Sequence, residues 1–315
     1  MGQWVLRAMM PTPRHDLQAI SVGGEIYALS GADDLTLDTV EIYDVATNRW
    51  RSGPAIGLKR GWFGAAMIDE QIYAIGGKTI RPLKQQQETG DPGNYTIHHA
   101  AEVFDVPSQT WSAISPLAAP RAGLAVTVCN DRIYAMGGNA MNNETRNGGQ
   151  HLDAVEVYDP PSATWSASVP TPVPVQGAVL ATVDNCIYLT AGMTGLFETR
   201  TTQGDTFVFN PDDEKWEKRA PIPTPRCDAA SIAVDRKIYT FGGWSDGWSK
   251  TQYFNSVEVY DVSTDTWSIL SPLPEPKAWM GAAAVGERIF VMGGAYRKPD
   301  DSGYKWINDL HEFIS

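Results

Sequence analysis

A block of alternating apolar residues closed by glycine returns six times along the 315-residue chain, and a repeat of this kind limits the fold before any single motif is considered. The clearest copies read Ile72-Tyr73-Ala74-Ile75-Gly76-Gly77, Ile133-Tyr134-Ala135-Met136-Gly137-Gly138, Ile238-Tyr239-Thr240-Phe241-Gly242-Gly243 and Ile289-Phe290-Val291-Met292-Gly293-Gly294. Two weaker copies end in Ser30-Gly31 and Ala191-Gly192. Tryptophans at 50, 111, 165, 216 and 267 advance in step with the glycines, the two series sharing intervals of 61, 54 and 51 residues. Seven residues before each tryptophan stands Tyr43, Phe104, Tyr158, Phe209 or Tyr260. These aromatics sit in segments such as Val257-Glu258-Val259-Tyr260-Asp261, whose alternation is that of a short strand.

An apolar stretch upstream and a tight polar turn into each Ile-Tyr segment complete a unit of four antiparallel strands, a to d, in about 50 residues. No helical periodicity interrupts them. The expected fold is all-β: one six-bladed β-propeller over 1–315, with blades at 14–53, 60–114, 121–168, 175–219, 226–270 and 277–315 plus 1–8. The sixth copy stops after Asp309-Leu310-His311-Glu312-Phe313-Ile314-Ser315, where a tryptophan strand is due, and Gln3-Trp4-Val5-Leu6 can supply it. The N-terminal strand should therefore close the last blade and remove two sheet edges at once. The invariant second glycine asks for a positive φ or a close backbone approach, while the repeated Tyr, Phe and Trp fill space between blades.

This Gly-Gly, Tyr, Trp pattern, in six copies at matched offsets, resembles kelch repeats over essentially the full chain. The resemblance implies a propeller that works through its loops. Separations from strand-c aromatic to tryptophan are uniform, whereas those from second glycine to strand-c aromatic run 12, 27, 20, 17, 17 and 19. Variable sequence thus emerges on one face, that of the b-to-c and d-to-a connections, and function is expected there.

Seventeen residues before each second glycine stand Arg14, Arg60, Arg121, Val175, Arg226 and Lys277. Just ahead of the innermost strand, they are expected to encircle the central opening, as an anion-attracting mouth or as loop caps and partners of acids between blades; the repeated Glu41, Glu102, Glu156 and Glu258 read as strand-c surface or blade-joining residues. Of 11 tryptophans, Trp62, Trp244, Trp248, Trp279 and Trp306 are surplus to the repeat, and all fall in variable-face loops. Aromatic and basic residues together suit a peptide side chain or a sugar ring.

The leading expectation is a binding module recognising a peptide, protein partner or glycan on this face. The alternative is an enzyme resembling the bacterial six-bladed kelch mutarotases, a mutarotase or epimerase acting on an anionic sugar. There Arg226 and Arg60 would anchor the carboxylate, and Glu198, Asp228 or His15 would move protons. Cys227, beside Arg226, is weighed as a nucleophile and set aside. No catalytic residue is assigned, no cofactor is expected, and the scattered histidines show no metal-type spacing. The iron motif of plant specifier proteins, Glu-x-x-x-Asp-x-x-x-His, has no counterpart, and nothing matches the copper radical oxidases residue by residue.

A net charge of −12 opposes nucleic acid and anionic membranes, and no apolar run is long enough to span a bilayer. Three cysteines, Cys129, Cys186 and Cys227, without disulfide or metal spacing favour a reducing compartment. A soluble, monomeric, cytoplasmic protein is expected. Secretion with a removed signal is the alternative that the sequons at Asn94 and Asn143 would serve.

Overall fold

The computed structural model describes residues 2–80, 95–140, 150–195, 199–247, 250–298 and 303–314; Trp248, Glu198 and the sequon asparagines Asn94 and Asn143 lie outside the described residues. The repeats become six four-stranded antiparallel sheets arranged as propeller blades. Blade 1 runs Gln18–Val22, Glu25–Leu29, Val40–Asp44 and Arg49–Ser52 from the centre outwards. In the last blade Gly281–Val285, Arg288–Met292 and Leu310–Ile314 are completed by Gln3–Leu6 from the other end of the chain. Trp4 pairs with Phe313 in the register that joins Tyr43 to Trp50 and Tyr260 to Trp267. No α-helix occurs among the described residues, and none is long and apolar enough to cross a membrane.

The core sits between blades, which explains the repeated aromatics. Within a blade the strand-c ring lies against the strand-d tryptophan, at 5.2 Å for Tyr260 and Trp267 and 5.1 Å for Phe313 and Trp4. That strand-c ring also meets the strand-b tyrosine of the preceding blade, as Phe104 meets Tyr27 at 6.1 Å and Tyr260 meets Tyr188 at 5.8 Å. Each tryptophan then donates across the seam where a carbonyl is offered: Trp111 to Pro54, Trp165 to Ser115 and Trp267 to Ala220, at 2.8–3.1 Å. Apolar area and a satisfied indole N–H thus come from one residue, so the frame can hold without helices.

The second glycine of each block fixes the loop face. At Gly243 φ is +89°, and a Cβ would sit 2.8 Å from the Cys227 carbonyl oxygen; at Gly31 φ is +102°, with the His15 carbonyl 2.6 Å away. Only glycine permits both the dihedral and the approach. The preceding position has φ of 49° at Ser30 and 60° at Ala191, a left-handed conformation that a small side chain can adopt. Immediately after the glycine the chain pairs back to the d-to-a turn of its own blade, through bridges His15 to Ala32, Gly61 to Lys78, Ala122 to Asn139, Gln176 to Met193, Cys227 to Trp244 and Ala278 to Ala295. These six bridges bring the variable loops to the central opening.

Candidate functional site at the channel mouth

Strand a of all six blades lines a central channel of about 410 Å³, walled by small and aliphatic residues, with hydroxyls such as Thr127 and Thr182 bonded across blades at 2.9 Å. Its end on the variable face is ringed by one residue per blade: Asp16, Trp62, Gly123, Gly177, Asp228 and Trp279. All six have φ between 51° and 64°. Their backbones link around the opening: the amides of Asp16, Gly123, Gly177, Asp228 and Trp279 donate to the carbonyls of Trp279, Trp62, Gly123, Gly177 and Asp228 at 2.7–3.0 Å. Left-handed residues bonded through their backbones to the neighbour's equivalent make the ring a rigid mount for chemistry.

The five cations expected around the opening lie instead within the blades, two residues upstream of this ring. Arg14, Arg60, Arg226 and Lys277 have no exposed surface and Arg121 only 2%. Each meets an acid of its own blade: Arg14 with Glu41 at 2.5 Å, Arg60 with Glu102, Arg121 with Glu156, Arg226 with Glu258, and Lys277 with Asp309 at 2.5 Å. Several other guanidinium donors go to backbone carbonyls, as Arg226 Nη1 to Gly242 at 2.8 Å and Arg121 Nη1 to Ala154 at 3.1 Å, while the buried Nε of Arg14 and of Arg121 has no partner among the described residues. Burial lowers the pKa of all five against the pull of the partner carboxylate. They tie the glycine turn to strand c and present no charge to a ligand, because a buried cation already paired has nothing left to offer. The sequence held a signal for this: blade 4 lacks both members, having Val175 and Phe207 at the two offsets.

The surplus tryptophans do converge. Trp306 stacks on His15 at 4.6 Å, Trp62 meets the same imidazole edge-on at 5.4 Å, and Trp279 lies 5.9 Å from it. Trp279 also contacts Trp244 at 6.1 Å, Tyr253 at 5.8 Å and Tyr304 at 6.0 Å. Blades 1, 2, 5 and 6 thus share one aromatic wall around buried His15.

Two carboxylates stand within it. His15 Nδ1 contacts Asp16 Oδ2, and burial raises the Asp16 pKa against the attraction of His15 and Lys78. Trp244 donates its indole N–H to Asp228 Oδ2 at 2.8 Å. Burial first, and repulsion from Asp16 second, push the Asp228 carboxyl up to about 6, the Trp244 and Trp279 indoles and Lys78 opposing. Lys78, which the sequence reading missed, places its Nζ 3.4 Å from the Trp62 ring centre and 5.2 Å from that of Tyr95. Burial lowers its pKa while Asp16 and Asp228 raise it. It follows the second glycine of blade 2 directly, the offset at which Trp244 stands in blade 5, and that shared offset was the available clue. Cys227 is buried and its thiol is pushed well up by burial and by Asp228, the reverse of what a nucleophile needs. Among the described residues no group of three His, Cys, Asp or Glu converges as a metal site.

The raised Asp228 pKa sets a sign for stability. A carboxyl that is easier to protonate folded than unfolded favours folding below its ordinary value of 3.8, and that contribution is lost as pH rises through about 6. Asp228→Asn, which keeps an acceptor for Trp244, should therefore raise the unfolding free energy at pH 8, by about 3 kcal/mol at most, and leave it unchanged near pH 4. Urea denaturation at both pH values measures this; an equal effect at the two would deny the shift.

The fold and its loop-face mouth define a six-bladed β-propeller with a polar-aromatic opening at its axis. The chain belongs to the kelch-repeat family: the Kelch motif matches residues 13–55 and 225–274, and the KLHDC2/KLHL20/DRC7 Kelch-repeats domain matches residues 95–243. It is similar to Beta-scruin of Limulus polyphemus, 24% identical over 90% of this chain and 30% of that protein. It is also similar to Kelch-like protein 23 of Homo sapiens, 26% identical over 90% of this chain and 46% of that protein. The chain spans less than half the length of either relative. The solved structure of YjhT superposes with a TM-score of 0.80 at 16% identity, covering 96% of this chain and 95% of that one, a likeness of fold.

Proposed function

We propose that this protein is a binding module that takes a segment of a protein partner at the channel mouth, with a side chain of the partner entering among the tryptophans. One observation carries the reading: Trp62, Trp244, Trp279 and Trp306, none required by the repeat, meet around one opening. Large rigid rings with polar tips are the side chains that dominate binding energy at protein interfaces. Trp62, Trp279 and Trp306 remain partly accessible there. The similarity to Kelch-like proteins supports a protein partner over a glycan. Peptides selected from a displayed random library on the immobilised protein should lose at least tenfold in affinity, about 1.4 kcal/mol, on Trp279→Ala and on Trp62→Ala, with melting temperature retained. Selected peptides indifferent to both substitutions would remove the mouth from consideration.

A second reading, small-molecule chemistry on an anionic sugar, has its own support in the buried His15–Asp16 contact and in Asp228, whose carboxyl is pushed up to about 6 by burial, a value suited to proton transfer. With Arg60 and Arg226 committed to Glu102 and Glu258, Lys78 becomes the cation for the sugar's carboxylate. Binding of glucuronate, lost on Lys78→Met, would carry this reading.

A further inference from the structure

We propose that the mouth is a receptor for an organic cation, an ammonium or methylated ammonium such as a lysine side chain presents, and that Lys78 occupies it as a tethered stand-in. The inference rests on the mouth being the binding site and names the chemistry of what enters. Lys78 is fixed only at its backbone, where its amide and carbonyl exchange 2.9 Å hydrogen bonds with Gly61. Its ammonium lies over the face of Trp62, in the field of Asp16 and Asp228. Among the described residues no hydrogen bond or ion pair within 4 Å ties that ammonium down. It is held by the π face and by two carboxylates acting at a distance, a weak arrangement that another cation can take over.

The charge balance favours like for like. With both acids ionised, two carboxylates face the Lys78 ammonium at the ring, with the Arg200 guanidinium farther out, 5.7 Å from the centre of the Trp244 ring, so at the ring itself an incoming cation replaces a charge the mouth already accommodates. The opening is shaped for this on its glycine side as well. A Cβ at Gly177 would collide with Asp228 Oδ1, so the absence of a side chain on blade 4 lets the blade 5 carboxylate lean across the ring. The Trp62 face beneath the Lys78 ammonium and the Tyr95 ring 5.2 Å from it supply aromatic walls of the kind quaternary ammonium groups prefer.

A tethered occupant competes at high effective concentration, so removing it should expose the site. Calorimetric titration at pH 8 with choline and with its uncharged isostere 3,3-dimethylbutan-1-ol tests this on the wild type and on Lys78→Met. Choline is expected to bind Lys78→Met at least tenfold more tightly than wild type, the isostere to give no measurable heat, and Asp228→Asn added to Lys78→Met to weaken choline again. Lys78→Gln, checked for an unchanged melting temperature, repeats the test if the methionine variant folds poorly. No choline binding to a folded Lys78 variant, equal binding of the isostere, or glucuronate binding that Lys78→Met abolishes would each overturn the proposal. Selected peptides that need Trp279 yet carry no lysine or arginine would sink the cation assignment while leaving the mouth itself standing.

Discussion

Arg226→Val alone should lower the unfolding free energy by about 3–5 kcal/mol, and adding Glu258→Phe should return most of that loss. Both side chains are fully buried, and removing the guanidinium leaves a carboxylate in the interior without its counter-charge. Arg226 also donates to the carbonyls of Thr224 at 3.0 Å and Gly242 at 2.8 Å, so recovery in the double variant is incomplete. Blade 4 is the natural precedent: Val175, 2% exposed, and Phe207 stand where blades 1, 2, 3 and 5 place an arginine and a glutamate, and the sheet from Val179–Val183 to Lys215–Arg219 forms all the same. An apolar pair can fill the space once both charges are gone. Urea denaturation of the two single variants and the double gives the coupling energy directly. A double variant no more stable than Arg226→Val would mean that the loop carbonyls, and not the orphaned acid, dominate the cost.

Deleting residues 1–8 should lower the melting temperature by roughly 10 °C and turn the protein toward aggregation. Trp4 accounts for much of this, since its ring lies 5.1 Å from Phe313 and 5.9 Å from Phe241 and its indole N–H donates to Ser271 at 3.1 Å. Truncating a large aromatic of this kind costs about 3–5 kcal/mol. Arg7 is lost as well, together with its 2.5 Å ion pair to Glu312, and Trp50 loses the Ala8 carbonyl it holds at 2.7 Å. Leu310–Ile314 then becomes an open edge with unpaired amides and carbonyls, a template for another chain. Calorimetry and size-exclusion chromatography read the two effects separately. A truncated protein that melts with the full-length chain and elutes as it does would show that closure is dispensable.

The frame was legible because it rests on local rules applied six times. Alternation in Val257-Glu258-Val259-Tyr260-Asp261 makes a strand wherever it occurs, and the second glycine announces a backbone that no other residue can follow. The closure by Trp4 was legible too, as a strand missing at one end of the chain and present at the other. The five cations at one offset were equally visible, yet their direction was not. Arg226 and Asp228 are two residues apart; the first turns into its own blade toward Glu258 and the second borders the axis, because Asp228 adopts φ of 51° and bonds to Gly177 of the neighbouring blade.

What the sequence by itself determined, then, was every feature set by spacing along the chain: six sheets, their order, their closure, and the face on which length varies. Only the tertiary structure decided which charges are spent and which are offered. Lys78 and Asp228 are 150 residues apart in the chain and share one opening only because the blades close into a ring. A charge's role depends on the desolvation it suffers and the partner that compensates it, and both are properties of that closed ring, whereas periodicity survives in any stretch of chain long enough to show it.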